Sequence, residues 1–372
     1  MGELIAGVWH RSGIERVLAD GALRRPPSVF RNWIADYDSS PFQPEPRRYH
    51  LYVSLACPWA HRTIIMRNLK GLTDLVGLSV VHWFMGEDGW TFAPGPRVVP
   101  DTVNRVDMLR DLYTLADPEC TSRVTVPVLW DKKTRQIVSN ESSDIMRMFN
   151  SAFDGVGAAE GDFYPLQHRA EIDVVNERVY SKLNNGVYRA GFATTQEAYE
   201  AAVSDVFSTL DWLEGRLEER RFVVGDQLTE ADIRLFTTLI RFDLVYHHHF
   251  KCNLRALVEY PALWDYSRFL YQLPAVRPTV DFDHIRGHYY QSHPWLNPSR
   301  VVPIGPRRNF DGLSDRDDVR WRSLDRGVRS RHAISSPQGT KRRRTSNTTP
   351  PVLTPSAASG ATGSEMNPER GD

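Results

Sequence analysis

The feature that most constrains the fold is a junction at which an apolar strand leads directly to a cysteine and a helix. Residues 49–54 have the sequence YHLYVS, and the run CPWAHR follows at 57–62. Pro58 suits the first helical position because its fixed φ is helical and its missing N–H would have no intrahelical partner there. The unpaired N–H groups and the helix dipole at this position favour a thiolate. We therefore predict that Cys57 is a nucleophile with a lowered pKa.

The fourth residue of this run indicates where a second thiol must come from. Ala60 stands where a two-thiol oxidoreductase carries its resolving cysteine. Any disulfide formed by Cys57 therefore needs an external thiol to open it, and a small thiol such as glutathione is the obvious candidate. The alternative is a buried, inert cysteine, the commonest fate of a free cysteine. The strand-cysteine-proline-helix context disfavours that alternative.

Hydrophobic periodicity divides the chain into a mixed part and a helical part. The first part has the order β-α-β-α-β-β-α, with strands predicted at 48–54, 78–84, 125–130 and 136–139. Amphipathic helices are predicted near 166–185, 195–220, 230–249 and 259–273. We predict an α/β, thioredoxin-like domain followed by an all-α domain. The predicted boundaries are an N-terminal extension at 1–45, the thioredoxin-like domain at 46–160, the helical domain at 161–305 and a disordered tail at 306–372.

The composition indicates the kind of cellular compartment in which the protein works. With 41% hydrophobic and 25% charged residues, the sequence is typical of a soluble globular protein. Its three cysteines are too few for a secreted disulfide framework. Neither a signal peptide nor an apolar run of about 18 residues is evident, so we expect a cytoplasmic protein without a membrane span. The basic run at 341–344 lies in the polar tail. Such a run is more often only exposed to solvent than bound to nucleic acid.

Three short motifs bear on chemistry or folding. Pro127 opens the third strand, and in thioredoxin-like folds a cis proline there turns the backbone of Val126 toward the active cysteine. A bound peptide could then pair with Val126 as an added strand, whereas an ordinary trans edge proline is the alternative. Glu141 and Ser142, at a helix start, offer groups for an ammonium and a carboxylate. Residues 229–232 predict an N-capping box with a structural role.

Longer strings give these motifs a family context. The chain resembles the glutathionyl-hydroquinone reductases, the Xi class of the glutathione transferase superfamily, over about residues 15–306. The strings that carry the resemblance are CPWAHR at 57–62, GW at 89–90, RVTVPVLWD at 123–131, SNESS at 139–143, NGVYRAGFA at 185–193 and NPSR at 297–300. Omega-class transferases share the cysteine and the Glu-Ser pair but not the other strings.

The resemblance implies a role for each matching residue. Cys57 is then the nucleophile that attacks a glutathionyl-hydroquinone, and Tyr188 is the acid that protonates the ring carbon. Tyr246 and Tyr289 are expected to stabilise the thiolate and line the hydroquinone pocket, although the adjacent Tyr290 could replace Tyr289. The residues implied to hold glutathione are Trp90, Arg123, Val126, Glu141 and Ser142. A homodimer is also implied.

Two other functions remain open from the sequence. An Omega-like thiol transferase or dehydroascorbate reductase would use the same cysteine but would not need a tyrosine acid. A non-catalytic transferase-fold module that binds partners is the third hypothesis, and the complete set of candidate catalytic residues disfavours it. Residues 247–249 are three consecutive histidines, which point about 100° apart on a helix and cannot converge on one ion. We predict no metal site.

Overall fold

The computed structural model describes residues 2–11, 20–37 and 39–316, and the strands within these ranges form two sheets. The strands are β1 (Glu3–Ile5), β2 (Val8–His10), β3 (Tyr49–Val53), β4 (Val76–Val80), β5 (Ser122–Arg123), β6 (Val128–Asp131) and β7 (Gln136–Ser139). The main sheet has the order β4-β3-β6-β7, with β3 parallel to β4 and antiparallel to β6. Every residue of β3 is buried, which explains its continuous apolar run.

Three helices accompany this sheet. They are α1 (Pro58–Leu69), α2 (Leu109–Ala116) and α3 (Ser142–Ser151). The observed order confirms the predicted thioredoxin-like β-α-β-α-β-β-α arrangement. The second strand lies slightly earlier than predicted because the chain leaves the sheet after Val80, where Val99 pairs with it as an isolated bridge.

The second half of the described chain is helical, as predicted. Its helices are α4 (Arg169–Arg178), α5 (Gly186–Gly191), α6 (Gln196–Leu217), α7 (Glu230–Arg241), α8 (Pro261–Gln272) and α9 (Phe282–Ser292). A π-helical turn, Val179–Asn184, follows α4, and a second, Phe242–Tyr246, follows α7. Periodicity gives no signal for α9, because its residues include several histidines, tyrosines and charged side chains and show no simple apolar stripe.

The predicted capping box fixes the start of α7. The Asp232 carboxylate accepts hydrogen bonds from the Thr229 N–H at 2.8 Å and from the Thr229 hydroxyl at 3.0 Å. It also accepts from the Val223 N–H at 2.8 Å and the Tyr266 hydroxyl at 2.7 Å. The box therefore joins α7 to the preceding loop and to α8, as a structural motif should.

The two ends of the described chain pack against its body. β1 pairs with both β2 and β5, so the N-terminal extension adds a small sheet beside Arg123. At the other end, the Gln272 amide donates to the carbonyls of Phe310 and Gly312, both at 2.8 Å. Phe310 is 4% exposed and Arg316 is 2% exposed.

These contacts correct the predicted tail boundary. The sequence predicts a disordered tail from residue 306, yet residues 306–316 contact the helical domain, where the buried Phe310 packs against Trp264, Tyr271 and Phe282. The remainder of the predicted tail, 317–372, lies outside the described residues. Within the described ranges, no helix combines the length and apolarity needed to cross a membrane.

Candidate active site

Cys57 lies between the end of β3 and the start of α1. Its sulfur is 3.7 Å from the carbonyl oxygen of Val126. The Val126-Pro127 peptide bond is cis, as the sequence analysis predicted, and this excludes the trans alternative. The thiol therefore faces the backbone edge at which an extended peptide could pair with Val126.

Burial raises the pKa of the Cys57 thiol. The N–H groups of Ala60 and Trp59 and the charges of Arg241 and Arg25 act in the opposite direction but do not offset burial. This direction is opposite to the lowered pKa that the helix start predicts. The helix start supplies the expected donors, but the loss of water around the sulfur disfavours the thiolate more strongly.

A cleft of about 500 Å³ opens beside Val126. Its lining contains four of the five residues predicted to hold glutathione: Arg123, Val126, Glu141 and Ser142. The fifth, Trp90, lines an adjoining cavity of about 90 Å³, to which Arg123 and Val126 also contribute. We call the second space the thiol cavity because Cys57 lines it. The structure thus brings the whole predicted set to two spaces that share part of their lining.

Glu141 is held ready to bind a cation. Its carboxylate accepts from the Ser143 N–H at 3.1 Å and from the Ser28 hydroxyl at 3.0 Å. Burial raises its pKa, but the hydrogen bonds from Ser143 and Ser28 outweigh burial and hold the pKa below the usual value. The group is therefore ionised at neutral pH and suits the ammonium of a γ-glutamyl substrate.

Three tyrosine hydroxyls form a connected group next to the thiol cavity. Tyr188 lies on α5, Tyr246 in the turn after α7 and Tyr289 on α9. The Tyr289 hydroxyl forms hydrogen bonds with both of the others, at 3.0 Å from that of Tyr246. Tyr188 and Tyr289 line the cavity, whereas the fully buried Tyr246 lies behind them. The Tyr290 hydroxyl instead donates to the Leu244 carbonyl, so Tyr289 is the residue that faces the site.

Burial keeps these hydroxyls protonated. It raises the pKa of Tyr188 and of Tyr289 well above the ordinary value of 10.0. A neutral tyrosine at the wall of the thiol cavity can donate a proton or a hydrogen bond across the whole neutral range. This arrangement suits a reaction in which a proton must reach a substrate beside Cys57.

Two residues of the site, Arg25 and His288, carry no recognisable sequence signal. Arg25, in the N-terminal extension, has its guanidinium carbon 4.5 Å from the centre of the Tyr188 ring and lines both spaces. His288 stacks on Trp90 with ring centres 4.8 Å apart. Arg25 belongs to a segment without periodicity, and His288 to α9, for which periodicity gives no signal.

The consecutive histidines take no part in a metal site among the described residues. His249 pairs with His293, with ring nitrogens 3.1 Å apart. No group of three or more His, Cys, Asp or Glu residues in the described part of the chain could hold a metal ion.

Comparisons with known proteins agree with this fold. Family models for the glutathione S-transferase N-terminal and C-terminal domains match residues 56–152 and 196–268. The glutathionyl-hydroquinone reductase PcpF of Sphingobium chlorophenolicum is 53% identical over 317 residues, which cover 84% of this chain and 99% of PcpF.

Solved structures with high similarity span the same region. The glutathione-bound structure of YqjG, a glutathione transferase homolog from Escherichia coli K-12, is 49% identical with a TM-score of 0.78, covering 85% of this chain and 99% of YqjG. The Xi class transferase of Natrialba magadii is 48% identical with a TM-score of 0.80, covering 86% of this chain and 97% of that one.

Proposed function

The chain belongs to the glutathionyl-hydroquinone reductase family, the Xi class of the glutathione transferase superfamily, and we propose that it reduces glutathionyl-hydroquinones to hydroquinones with glutathione as co-substrate. The observation that carries this proposal is the thiol cavity, where the Cys57 thiol and the Tyr188–Tyr289 hydroxyl pair line one small space. A nucleophile and a proton donor beside one substrate sulfur are what this reaction requires.

The first half-reaction forms a mixed disulfide. Tyr188 donates its proton to the ring carbon that bears sulfur, and the phenol shifts to its keto form. The Cys57 thiolate then attacks the glutathionyl sulfur, so that an S–S bond forms and the carbon–sulfur bond breaks. The electron pair of that bond returns to the ring, which leaves as hydroquinone. Without prior protonation the leaving group would be an aryl carbanion, which is very unstable.

The second half-reaction regenerates the enzyme. A glutathione thiolate attacks the glutathione sulfur of the mixed disulfide and expels Cys57 as a thiolate. The products are oxidised glutathione and the Cys57 thiolate, and the thiol proton of the incoming glutathione replaces the proton taken from Tyr188. The two electrons that reduce the aryl carbon thus come from two sulfurs, the glutathionyl sulfur of the substrate and the sulfur of the incoming glutathione, which end joined as the disulfide. Because Ala60 replaces a resolving cysteine, an external thiol is required in every cycle.

The decisive experiment incubates the protein with a glutathionyl-hydroquinone and glutathione. We expect free hydroquinone by chromatography and, when glutathione is limiting, a glutathione adduct on the peptide that contains Cys57. Cys57→Ser should abolish both. Rapid reduction of a mixed disulfide or dehydroascorbate without release of hydroquinone would instead support an Omega-like thiol transferase.

We also make a proposal about the oligomeric state of the protein and one about its location. We propose a homodimer because the family resemblance implies one, and light scattering after gel filtration would measure it. We also propose a cytoplasmic location, consistent with three cysteines that are all free in the described residues. Fractionation of the source cells with an antibody to the protein would test the location.

A further inference from the structure

A buried arginine holds the backbone that leads into the reactive cysteine. Arg241 is the last residue of α7 and is fully buried. Its guanidinium donates to the carbonyls of Leu55, at 3.0 Å, and Ala56, at 2.9 Å, the two residues that precede Cys57. It also donates to the Thr237 carbonyl at 2.7 Å. One side chain of the helical domain therefore fixes the end of the strand-to-cysteine junction.

The last partner of Arg241 is the neutral side chain of His61. The guanidinium lies 3.0 Å from His61 Nδ1, and because arginine can only donate, Nδ1 is the acceptor. His61 Nε2 therefore carries the hydrogen and donates to the Thr279 hydroxyl at 2.7 Å. Burial and the charge of Arg241 together lower the pKa of His61 well below the ordinary value. His61 thus provides an acceptor without a negative charge.

The positive charge of Arg241 has no carboxylate partner among the described residues. All its hydrogen-bond acceptors are carbonyl oxygens or a neutral imidazole. Two other buried arginines have a carboxylate partner, Arg48 with Asp131 and Arg234 with Glu230, whereas Arg67 also donates only to carbonyls. An uncompensated buried cation is unfavourable in a protein interior, so its presence beside a reactive centre suggests an anion that forms there.

Cys57 is the group beside Arg241 that the catalytic cycle makes anionic. The charged and titratable groups that act on the thiol are Arg241 from α7 and Arg25 from the extension, with Tyr188 and Tyr246 as neutral hydroxyls. Arg241 also lowers the pKa of Tyr246 and Tyr289, although burial outweighs it at both hydroxyls. The positive charge thus acts on the whole group around the sulfur.

We propose that Arg241 is a positioning residue that supplies the countercharge for the Cys57 thiolate and holds the Leu55-Ala56 backbone that presents it. The charge then favours attack by the thiolate and its departure from the mixed disulfide. The effect on thiolate attack and departure rests on the proposed function. The countercharge itself does not, because it acts on Cys57 in the free protein.

The test measures the pH dependence of Cys57 alkylation by iodoacetamide in the full-length protein, with peptide mass spectrometry as the readout. Burial raises the pKa of Cys120 to about 11 and that of Cys252 still further, so both react more slowly than an ordinary thiol. Mass spectrometry also distinguishes the three cysteines because each lies in a different peptide. Arg241→Gln keeps hydrogen-bond donors without the charge, whereas Arg241→Lys keeps the charge without the planar fork.

We expect Arg241→Gln to move the alkylation midpoint up by about one pH unit and to slow alkylation at neutral pH about tenfold. Arg241→Lys should stay near the wild-type midpoint. Equal shifts of the alkylation midpoint in both variants, or no shift in Arg241→Gln, would contradict the proposal that Arg241 supplies the countercharge. If Arg241→Gln does not fold, the lysine variant decides alone: a midpoint raised by about a unit contradicts the proposal, and an unchanged one supports it.

Arg67→Met is the matched control. Arg67 lies on the same helix as the cysteine junction, is buried, and donates only to the carbonyls of Val76 and Thr73. Its loss should lower the melting temperature without moving the midpoint, which separates a structural effect from an electrostatic one. Because the assay contains no hydroquinone, failure of the proposed activity would leave its result unchanged.

Discussion

At the level of single residues, burial sets the protonation state of the groups around Cys57. It raises the pKa of the thiol above its ordinary value and keeps the Tyr188 and Tyr289 hydroxyls neutral. A neutral hydroxyl is the form that an acid catalyst needs, whereas a neutral thiol is the inactive form of a nucleophile. The same loss of water keeps the acid protonated but makes it a weaker proton donor, and it makes the nucleophile depend on nearby positive charge.

Tyr188→Phe tests the acid role directly. Removal of a general acid should lower kcat/KM for a glutathionyl-hydroquinone by roughly 100-fold or more. Reduction of a mixed disulfide, which has no ring carbon to protonate, should change little. Steady-state kinetics on both substrates measure the difference. Tyr290→Phe is the control, because the Tyr290 hydroxyl donates to Leu244 away from the cavity. Equal losses on both substrates would rule out the acid role.

At the level of elements, three helical segments converge to build one wall of the site. α5 carries Tyr188, the turn after α7 carries Tyr246, and α9 carries Tyr289. Periodicity predicted a continuous helix over 230–249, but the chain forms a π-helical turn after Arg241. Local pattern does not distinguish a π turn from an α turn, since the choice depends on which side chains the surrounding helices accommodate.

Gly287→Ala should disturb α9 and the site together. A Cβ at this position would lie 2.6 Å from the Trp83 side chain, so the helix or the indole must move. We expect a loss of about 1–3 kcal/mol of stability and slower turnover, because Tyr289 lies on the same helix.

Gly215→Ala, within α6, provides the matched control for this substitution. A Cβ there meets nothing within 4 Å, so the variant should be neutral or slightly more stable. Denaturant titration and kinetics compare the two variants. Wild-type stability in Gly287→Ala would contradict the close packing of α9 against Trp83.

At the level of the whole molecule, segments from both ends of the described chain complete the structure. The N-terminal extension brings Arg25 and Ser28 to the site, while residues 306–316 cover part of the helical domain. Such long-range contacts join residues that are far apart in sequence, so no local pattern reports them. The site therefore depends on parts of the chain outside the two family domains.

Truncation separates the packed segment from the remainder of the tail. A chain ending at 316 should keep wild-type activity and melting temperature, because it retains every described contact of Phe310 and Arg316. A chain ending at 305 should melt at a lower temperature, since it loses the buried Phe310 side chain and the Arg316 hydrogen bonds. Calorimetry compares the two. Identical melting would show that residues 306–316 do not stabilise the body.

The buried histidines predict an acid-sensitive fold. Burial lowers the pKa of His249 and of His288 to about 4, from an ordinary value of 6.5. The unfolded chain therefore binds more protons as pH falls below 6.5, and folded stability declines through that range. Each histidine should cost roughly 2 kcal/mol between pH 7 and pH 5. Urea titrations of wild type and His249→Phe should show a smaller pH dependence in the variant.

The sequence by itself determined the domain order, the cysteine at the helix start and the capping box, whereas it left the cis and trans forms of Pro127 open. These features depend on neighbours within a few residues, where backbone geometry and periodicity act. Only the tertiary structure decided the pKa of Cys57, the choice of Tyr289 over Tyr290 and the placement of Arg241. Those properties depend on desolvation and charge from distant segments, and they become defined only when folding excludes water from the site.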